Sequence, residues 1–439
     1  MKIIEYPKRK DWPEILARPS LDTRFLERTV ANILQDIRRH GDEAVRHCSR
    51  QFDGVELEDM AVTAEEMADA RQNVSEELKE AIGVALDNIE KFHAAQRGSF
   101  ERVETTDGVF CWRKSVPIER VGLYAPGGTA PLFSSVLMLG VPARLAGCRE
   151  VVLCSPPDSD GRINDVILYT AELCGITRVF KIGGAQAVGA IGFGTETVPR
   201  VDKIFGPGNQ FVTEAKQQIT RFGVQIDMPA GPSEVAVWAD GASVPAFVAA
   251  DLLSQAEHGP DSQVLLVSTD RAVIEASVRE LEEQLEVLPR REIAARSIEN
   301  SRAILVEDEE TALDLLNEYA AEHLILALEN ADEMADRIIN AGSVFIGNYS
   351  CEAAGDYASG TNHTLPTGGY ARSCGGVSLD SFVKKITFQK LTAKGIENLG
   401  PTIERMAEAE RLEAHRTAVS IRLKALATEE GTENTEKIF

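Results

Sequence analysis

The stretch Val121-Gly122-Leu123-Tyr124-Ala125-Pro126-Gly127-Gly128-Thr129 decides the fold class, because a short apolar strand runs directly into a glycine turn. From here to Ala230, short β-branched runs alternate with helical runs, which is typical of parallel α/β units. The predicted strands are Val151 to Cys154, Val179 to Ile182, Lys203 to Phe205 and Val224 to Asp227. Working outward toward the amino terminus, a further strand pattern begins at Val109 and leads into the quoted stretch.

Three of these strands end in glycine turns that lead toward a helix. The turns are Tyr124-Ala125-Pro126-Gly127-Gly128, Gly183-Gly184-Ala185-Gln186 and Gly206-Pro207-Gly208-Asn209. Glycine lets backbone amides approach a ligand, and a helix amino terminus favours an anion such as a pyrophosphate. Since ligands of open α/β sheets bind at these carboxyl strand ends, the pattern favours a dinucleotide site. The Gly-x-Gly-x-x-Gly fingerprint is absent, and tight βα turns alone would also explain the glycines.

A second alternation follows the segment Pro229-Ala230-Gly231-Pro232-Ser233-Glu234 and extends to about Gly347. Its predicted strands are Val235 to Trp238, Val264 to Val267, Ala303 to Val306, Leu324 to Leu328 and Val344 to Ile346. The two alternations predict two similarly built, open α/β domains, each an incomplete Rossmann-like unit. A cleft between them is the expected ligand site.

Length, charge and cysteine usage limit the class of protein. A chain of 439 residues predicts two or three domains. The formal net charge of -23 argues against nucleic-acid or anionic-membrane binding, since both need a basic surface. No apolar run approaches the roughly 20 residues of a membrane span, and residues 1 to 7 are unlike a signal peptide, so a cytoplasmic protein is expected. The seven cysteines are scattered, which suits reduced thiols and leaves histidine and oxygen ligands to hold any metal.

Helical patterns flank the two alternations. Residues 1 to 20 form an arm, and Leu21 to about Gln96 has helical spacing, with a capping box at Thr63-Ala64-Glu65-Glu66. Its histidines have charged neighbours and are predicted to be solvated: His40, His47 and His93. Asn398 to about Ala427 is a charged helical stretch with little core of its own. It is expected to pack on another part of the protein or on a second subunit.

An apolar, alanine-rich run from Val244 to Leu253 predicts a buried helix that ends near Gly259-Pro260. Gln255 and His258 lie three residues apart at its end, where both side chains face one side and can converge on one point. Taken alone, His258 also suits a histidine that interacts with the helix dipole.

A long polar loop from Gly355 to Gly369 contains Asp356 and His363. A loop of this length and composition is usually functional, although a mobile surface loop is the alternative. In the carboxyl-terminal helical stretch, Glu410 and His415 have unusually apolar surroundings.

Two imidazoles, a carboxylate and an amide oxygen could together make a zinc site, although their spacing alone does not establish one. The residues that offer them are Gln255, His258, Asp356 and His415. Adjacent Glu322 and His323, at a predicted helix-to-strand junction, supply two bases whose pKa values different surroundings can separate. A Glu-His pair alone is more often part of a polar loop.

The motifs, taken together and in order, resemble those of the histidinol dehydrogenase family over nearly the whole chain. They are Tyr124 to Gly128, Gly183 to Ala187, Phe205 to Asn209, Pro229 to Glu234, Gln255 to His258, Glu322-His323, Gly355 to His363 and Glu410 to His415. The resemblance implies a zinc-dependent oxidation of L-histidinol through L-histidinal to L-histidine with two NAD, the last step of histidine biosynthesis. It also implies an aldehyde-dehydrogenase-like arrangement of the two α/β domains.

The resemblance implies a role for each matching residue. Zinc ligands are Gln255, His258, Asp356 and His415, and the same four residues bind substrate. Further substrate contacts come from Ser233, His323, His363 and Glu410, and NAD contacts from Tyr124, Gln186 and Asn209. His323 takes the hydroxyl proton and Glu322 deprotonates the water that attacks the aldehyde.

The resemblance also implies a homodimer with an intertwined carboxyl-terminal region, in which Glu410 and His415 complete the partner's site. The predicted division is residues 20–123 with 235–377 for the catalytic domain and 124–234 for the NAD domain. Residues 1–19 with 378–396 form a small arm domain, and 397–439 form the tail.

Three alternatives stay open. Cys111 or Cys148 could attack the aldehyde and form a thiohemiacetal, although neither has an activating neighbour in sequence. A related zinc and NAD dehydrogenase could act on another small polar alcohol, although Glu410 and His363 match substrate contacts of the family. A non-catalytic nucleotide-binding or zinc-binding module would leave Glu322-His323 without a task.

Overall fold

The structure, a computed structural model, describes residues 1–19, 23–127, 131–229 and 231–436. Gly128, Thr129 and Ala230 of the motifs lie outside the described residues, as does the predicted helix start at Leu21. The chain folds into two compact units: residues 1–96 with 117–382, and residues 97–116 with the chain from Val383 onward. The four-part domain division given above stays a prediction.

The described chain contains fourteen strands. They are β1 (Lys2–Glu5), β2 (Val103–Thr106), β3 (Val109–Pro117), β4 (Arg120–Tyr124), β5 (Glu150–Ser155), β6 (Arg178–Lys181), β7 (Lys203–Phe205), β8 (Gln225–Ile226), β9 (Glu234–Ala239), β10 (Gln263–Ser268), β11 (Arg302–Leu305), β12 (His323–Ala327), β13 (Ser343–Ile346) and β14 (Val383–Leu391).

The same residues contain seventeen α-helices, and none of them is long and apolar enough to cross a membrane. They are α1 (Trp12–Ile15), α2 (Thr23–His40), α3 (Asp42–Cys48), α4 (Ala64–Asn73), α5 (Glu76–Ala94), α6 (Phe133–Ala146), α7 (Asp165–Leu173), α8 (Gly184–Phe193), α9 (Gln210–Ile219), α10 (Pro245–Ala256), α11 (Arg271–Val287), α12 (Arg291–Glu299), α13 (Glu309–Tyr319), α14 (Ala331–Ala335), α15 (Glu352–Tyr357), α16 (Ala393–Ala409) and α17 (Glu413–Glu436).

The larger unit contains two parallel sheets with the same internal order. One sheet has the order β6-β5-β4-β7-β8, and the other has β1-β11-β10-β9-β12-β13. Numbered from the first strand of each alternation, both follow 3-2-1-4-5, and β1 is added at one edge of the second sheet. The prediction of two similarly built, open α/β sheets is therefore confirmed.

The central strands explain why the alternation was visible in the sequence. Every residue of β9 and of β10 is buried, since helices cover both faces of a parallel sheet and its strands become continuous apolar runs. The helix predicted from Val244 is α10, with Pro245 at its first turn, and the capping box at Thr63 opens α4.

Outside the alternations, the structure adds a strand to the amino-terminal arm and corrects one prediction, that of a solvated His93. The arm predicted at the amino terminus contains β1, in which Lys2 pairs with Arg302 of β11. His40 and His47 are exposed as predicted, but His93 is fully buried. Burial is tolerated because both ring nitrogens of His93 are satisfied: Nδ1 lies 2.8 Å from the carbonyl oxygen of Ile89, and Nε2 lies 3.3 Å from the side-chain nitrogen of Asn362.

The smaller unit combines the sheet β14-β3-β2 with two helices. The predicted charged stretch is α16 and α17, which are separated at Arg411, a residue with a positive φ of 60°. Val419 packs against Gly400 so closely that a Cβ on Gly400 would lie 3.1 Å from it. The carboxyl-terminal helices therefore pack first on each other.

Candidate active site

The nucleotide side of the site begins where β4 ends. Tyr124 is the last residue of β4, and its buried hydroxyl accepts a hydrogen bond from the amide of Gly184 at 3.1 Å. Gly184 opens α8 with a φ of +61°, a conformation that favours glycine. Burial raises the pKa of Tyr124 to about 12, so its hydroxyl keeps its proton at neutral pH.

The turn after β7 completes this edge of the five-stranded sheet. Gly206 has a φ of +130°, and a Cβ there would lie 2.2 Å from the carbonyl oxygen of Tyr124, so only glycine fits. Asn209 caps α9, because its side-chain oxygen accepts hydrogen bonds from the amides of Phe211 and Val212 at 3.0 and 3.1 Å. Strands β5 and β7 pair with opposite edges of β4, so the strand order reverses at β4. Open α/β sheets bind nucleotides at such a reversal.

A cleft of about 750 Å³ lies in the larger unit, between the two sheets. The predicted site residues among those that line it are Tyr124, Gln186, Asn209, Ser233, His258, Glu322 and His363. The cleft predicted between the two alternations is therefore present, and predicted NAD contacts share it with predicted substrate contacts.

The Glu322-His323 pair lies at the junction that the sequence predicted, after α13 and at the start of β12. Both residues are buried. One Glu322 oxygen accepts hydrogen bonds from the amide of Glu234 at 2.8 Å and from the side-chain nitrogen of Gln255 at 3.2 Å. The Nδ1 of His323 donates to the carbonyl oxygen of Glu234 at 3.2 Å. The peptide groups of Glu234 thus orient both bases.

The other ring nitrogen of His323, Nε2, is buried and has no hydrogen-bond partner in the described chain. This nitrogen lies 3.4 Å from a carboxylate oxygen of Asp356, which is close enough for an ion pair when His323 is protonated. Burial lowers the pKa of His323, but the charges of Glu352, Glu322 and Asp356 outweigh burial and raise it to about 10. Burial raises the pKa of Glu322 to about 8, although His323 opposes the shift.

Three side chains near this pair offer ligand atoms to one point. His258, Glu352 and Asp356 have ligand atoms that all lie within 4.8 Å of one another. The amide oxygen of Gln255 and both carboxylate oxygens of Glu352 are buried, with no hydrogen-bond partner in the residues described. Unpartnered buried oxygens are costly, so a divalent cation with nitrogen and oxygen preferences fits this donor set.

Glu352 belongs to none of the sequence motifs. The polar stretch from Gly355 was predicted to be a loop, whereas its first residues belong to α15. Glu352 and Asp356 are four residues apart on that helix and therefore share a face. A helix prediction that began at Glu352 would have shown this pair of carboxylates.

His363 and Ser233 lie in the same cleft. The Nδ1 of His363 donates to the carbonyl oxygen of Asp356 at 2.9 Å, so its Nε2 accepts from the Ser135 hydroxyl at 3.1 Å. Burial lowers the pKa of His363, although Asp356 opposes the shift. The pKa of His258, at the rim of the cleft, is likewise lowered by desolvation of its ring, although the charge of Asp356 opposes the shift. Both rings therefore favour their neutral, ligand-binding form.

The remaining predicted residues, Glu410 and His415, belong to the smaller unit. Glu410 is the C-cap that directly follows α16, and His415 lies in the first turn of α17; both are exposed in the single chain. Their roles stay predictions. Of the two cysteines considered as nucleophiles, Cys148 has a pKa that burial raises to about 12, which argues against a thiolate there. Cys111 lies in β3 of the smaller unit.

The two sheets contribute to the cleft through opposite ends. The five-stranded sheet presents the carboxyl ends of β4, β6 and β7, whereas the six-stranded sheet presents the amino ends of β9 and β12. Val235 of β9 pairs with His323 of β12, so this register brings Glu234 beside the Glu322-His323 pair.

Comparisons with known proteins agree on one family. A family model described as histidinol dehydrogenase matches residues 16–423. Histidinol dehydrogenase from Bacteroides thetaiotaomicron is 56% identical over 426 residues, covering 97% of this chain and all of the relative. Histidinol dehydrogenase from Escherichia coli O6:H1 is 51% identical over 416 residues, covering 94% of this chain and 95% of the relative.

Solved structures give the same result. The crystal structure of histidinol dehydrogenase from Elizabethkingia anophelis superposes with a TM-score of 0.94 at 55% identity, covering 97% of this chain and 99% of that one. An aldehyde dehydrogenase from Bacillus cereus superposes with a TM-score of only 0.49 at 14% identity, covering 88% of this chain and 90% of that one.

Proposed function

Because the chain belongs to the histidinol dehydrogenase family, we propose that it oxidises L-histidinol through L-histidinal to L-histidine and reduces two NAD. We further propose that the protein is cytoplasmic and catalyses the last step of histidine biosynthesis. The observation that carries the proposal is the buried Glu322-His323 pair, of which Glu322 lines the same cleft as the glycine turns of the nucleotide side.

The base that removes the hydroxyl proton is His323. Its Nδ1 donates to the carbonyl oxygen of Glu234, which leaves Nε2 as the nitrogen that accepts a proton. The carboxylates that raise its pKa to about 10 in the protein alone are those near the proposed metal ligands. A cation held there would offset their charge, so the imidazole would titrate closer to neutrality.

The second oxidation needs a base for water, and Glu322 supplies it. Burial brings its pKa to about 8, which suits proton transfer near neutral pH. The hydrogen bonds from Glu234 and Gln255 fix the carboxylate beside His323, so the two bases act on neighbouring points of one bound substrate. Keeping the aldehyde bound between the two steps prevents the release of a reactive intermediate.

We propose that the metal is zinc, held by Gln255, His258 and Asp356 together with His415 from a second copy of the chain. The unpartnered oxygen of Gln255 and the closeness of His258 to Asp356 support this set. Bound zinc would orient the imidazole and amino nitrogens of the substrate. Ser233, His323, His363 and Glu410 of the second copy complete the substrate contacts, and Tyr124, Gln186 and Asn209 contact NAD.

A second copy is part of the proposal because Glu410 and His415 are exposed in the single chain. We propose a homodimer in which the carboxyl-terminal helices of each chain complete the partner's site. Mixing Glu322→Gln and His415→Ala chains tests this, because in a mixed dimer one site regains all of its native residues. Each variant alone should form almost no L-histidine, and the mixture should recover part of the wild-type rate of L-histidine formation. A mixture that stays inactive after verified subunit exchange would contradict the shared site.

The test of the reaction is the number of NADH molecules formed per molecule of limiting L-histidinol by the zinc-loaded protein. We expect two. One NADH would favour a simple alcohol dehydrogenase or a blocked second step, and none would overturn the substrate assignment. Glu322→Gln should oxidise histidinol slowly and fail with added histidinal. Glu257→Gln, a change of another glutamate that lines the cleft, is the matched control.

A further inference from the structure

A carboxylate that neither the motifs nor the proposed reaction uses lines the nucleotide side of the cleft. Asp53 is the last residue of a π-helical turn, Ser49–Asp53, which directly follows α3. Such turns are rare, and they are frequent at functional sites. The Asp53 side chain is half-buried, and the ring of the preceding Phe52 is exposed and lines the same cleft.

The contacts of Asp53 place it against the glycine turn after β6. Its Oδ2 accepts a hydrogen bond from the side-chain nitrogen of Gln186 at 3.2 Å. Its Oδ1 would lie 3.3 Å from a Cβ built on Gly183, so the carboxylate lies beside this glycine of the turn. Tyr124 is close enough for the Asp53 charge to act on its hydroxyl. Asp53 therefore stands among the groups proposed to hold NAD.

The charges that line the cleft are mostly negative. Among the described lining residues, Arg290 is the single arginine or lysine, and its charge acts on His258 of the metal side. The acidic lining residues are Asp53, Glu257, Asp261 and Glu322. A 2′-phosphate near Asp53 would lie next to a carboxylate, and none of the described lining residues beside it is an arginine or lysine that could bind the phosphate.

We infer that Asp53 binds the adenosine ribose of NAD through its 2′-hydroxyl and excludes the 2′-phosphate of NADP. An acidic side chain beside the glycine turn of an α/β sheet performs this selection in dinucleotide sites, because the hydroxyl donates to the carboxylate and a phosphate is repelled. Asp53 is thus a specificity-determining residue that touches no reacting atom. The inference rests on the proposed use of NAD.

The experiment compares kcat/KM for NAD and for NADP, at saturating L-histidinol, in the zinc-loaded protein and in Asp53→Ala and Asp53→Asn. The wild type should prefer NAD. Asp53→Ala should lower the ratio of the two kcat/KM values by about 10- to 100-fold, through a higher KM for NAD and a lower KM for NADP. Asp53→Asn keeps an oxygen for Gln186 and removes the charge, so it should retain more NAD affinity and still gain NADP affinity.

Asp261 provides the matched control. It also lines the cleft and accepts a hydrogen bond from a glutamine side chain, that of Gln210, at 3.0 Å. Asp261→Ala should leave the NAD-to-NADP ratio within about twofold of wild type, because it removes a carboxylate without removing the one beside Gln186. If Asp53→Ala weakens both cofactors equally, Asp53 only positions Gln186 and the inference is overturned.

Binding without turnover separates this inference from the proposed reaction. Calorimetry should show that ADP-ribose binds more tightly than its 2′-phosphate derivative, and that Asp53→Ala removes the difference. Preserved discrimination in a protein that does not oxidise histidinol would overturn the reaction and support the Asp53 inference. Normal histidinol oxidation, with the same NAD-to-NADP ratio of kcat/KM in Asp53→Ala and Asp53→Asn as in the wild type, would support the reaction and overturn the Asp53 inference. A protein that binds neither compound would overturn both.

Discussion

Replacing Lys216 by Met should cost the protein about 4 kcal/mol of unfolding free energy, because Lys216 forms a fully buried ion pair. Its Nζ lies 2.5 Å from Oδ1 of Asp227 and donates to the carbonyl oxygen of Gly206 at 2.7 Å. The two side chains are 1% and 0% exposed. The pair lies beneath the Gly206 turn, so it supports the nucleotide side of the cleft.

The magnitude follows from what the Met variant leaves behind. Removing one partner of a buried ion pair costs about 3–5 kcal/mol, because the other charge stays buried. Asp227 would keep hydrogen bonds from the amides of Gly206 and Met228 at 2.8 and 2.7 Å, which favours the lower part of that range. The Gly206 carbonyl loses its partner as well, which adds about 1 kcal/mol.

The assay is urea unfolding followed by tryptophan fluorescence, at one protein concentration and one zinc concentration, since association and metal binding change apparent stability. Arg120→Met is the control, because Arg120 pairs with Asp202 at 3.0 Å in a partly exposed site and should contribute about 0–1 kcal/mol. Lys216→Met should also raise the KM for NAD, since the turn after Gly206 carries Asn209.

The double variant with Asp227→Asn distinguishes an unpaired charge from simple loss of packing. Removing both charges should recover part of the loss, so the two single changes should not add. Full additivity, or a Lys216→Met loss as small as that of Arg120→Met, would refute the reasoning from the buried charge.

Three further predictions concern single sites. Burial raises the pKa of Asp251 from 3.8 to about 6, so its ionised form destabilises the fold above that pH. Asp251→Asn should therefore raise the free energy of unfolding by about 1–3 kcal/mol at pH 8, and urea titrations should show this gain fading between pH 6 and 4. Cys148→Ala should keep histidinol turnover within about twofold, and Cys148 should resist alkylation in the folded protein, since its pKa is about 12. Gly189→Ala should lower the free energy of unfolding by about 1–3 kcal/mol, because the new Cβ would lie 2.7 Å from the Ile37 side chain. Gly83 has open space around it, so Gly83→Ala should be neutral or stabilising in the same assay.

The sequence predicted the fold where burial is symmetric. Strands such as β9 and β10 are mostly apolar because both of their faces are covered, so a short apolar run in the sequence identifies them. By contrast, β14 is mostly exposed and contains Lys384 and Lys385, and β1 has only four residues. Such strands are specified by the partner with which they pair, and pairing over long separations is not visible in a local pattern.

The candidate site was predicted as a set of residues, but its geometry was not. The motifs identified Gln255, His258 and the Glu322-His323 pair as site residues. Only the structure shows that the strands of the six-stranded sheet line the cleft with their amino-terminal ends. Glu352 was missed because a glutamate is ordinarily exposed. Its burial depends on the packing of α15, which no local spacing reveals.

The arm at the amino terminus is connected to this geometry through Glu234. The guanidinium of Arg18 donates to both Glu234 carboxylate oxygens, at 2.5 and 2.8 Å, and to the carbonyl oxygen of Tyr319 at 2.7 Å. Glu234 is buried, and its charge acts unfavourably on the ionised form of Glu322. Arg18 offsets that charge and fixes the residue whose peptide groups orient both Glu322 and His323. Residues that the sequence suggests are a peripheral arm therefore stabilise the position of the two bases.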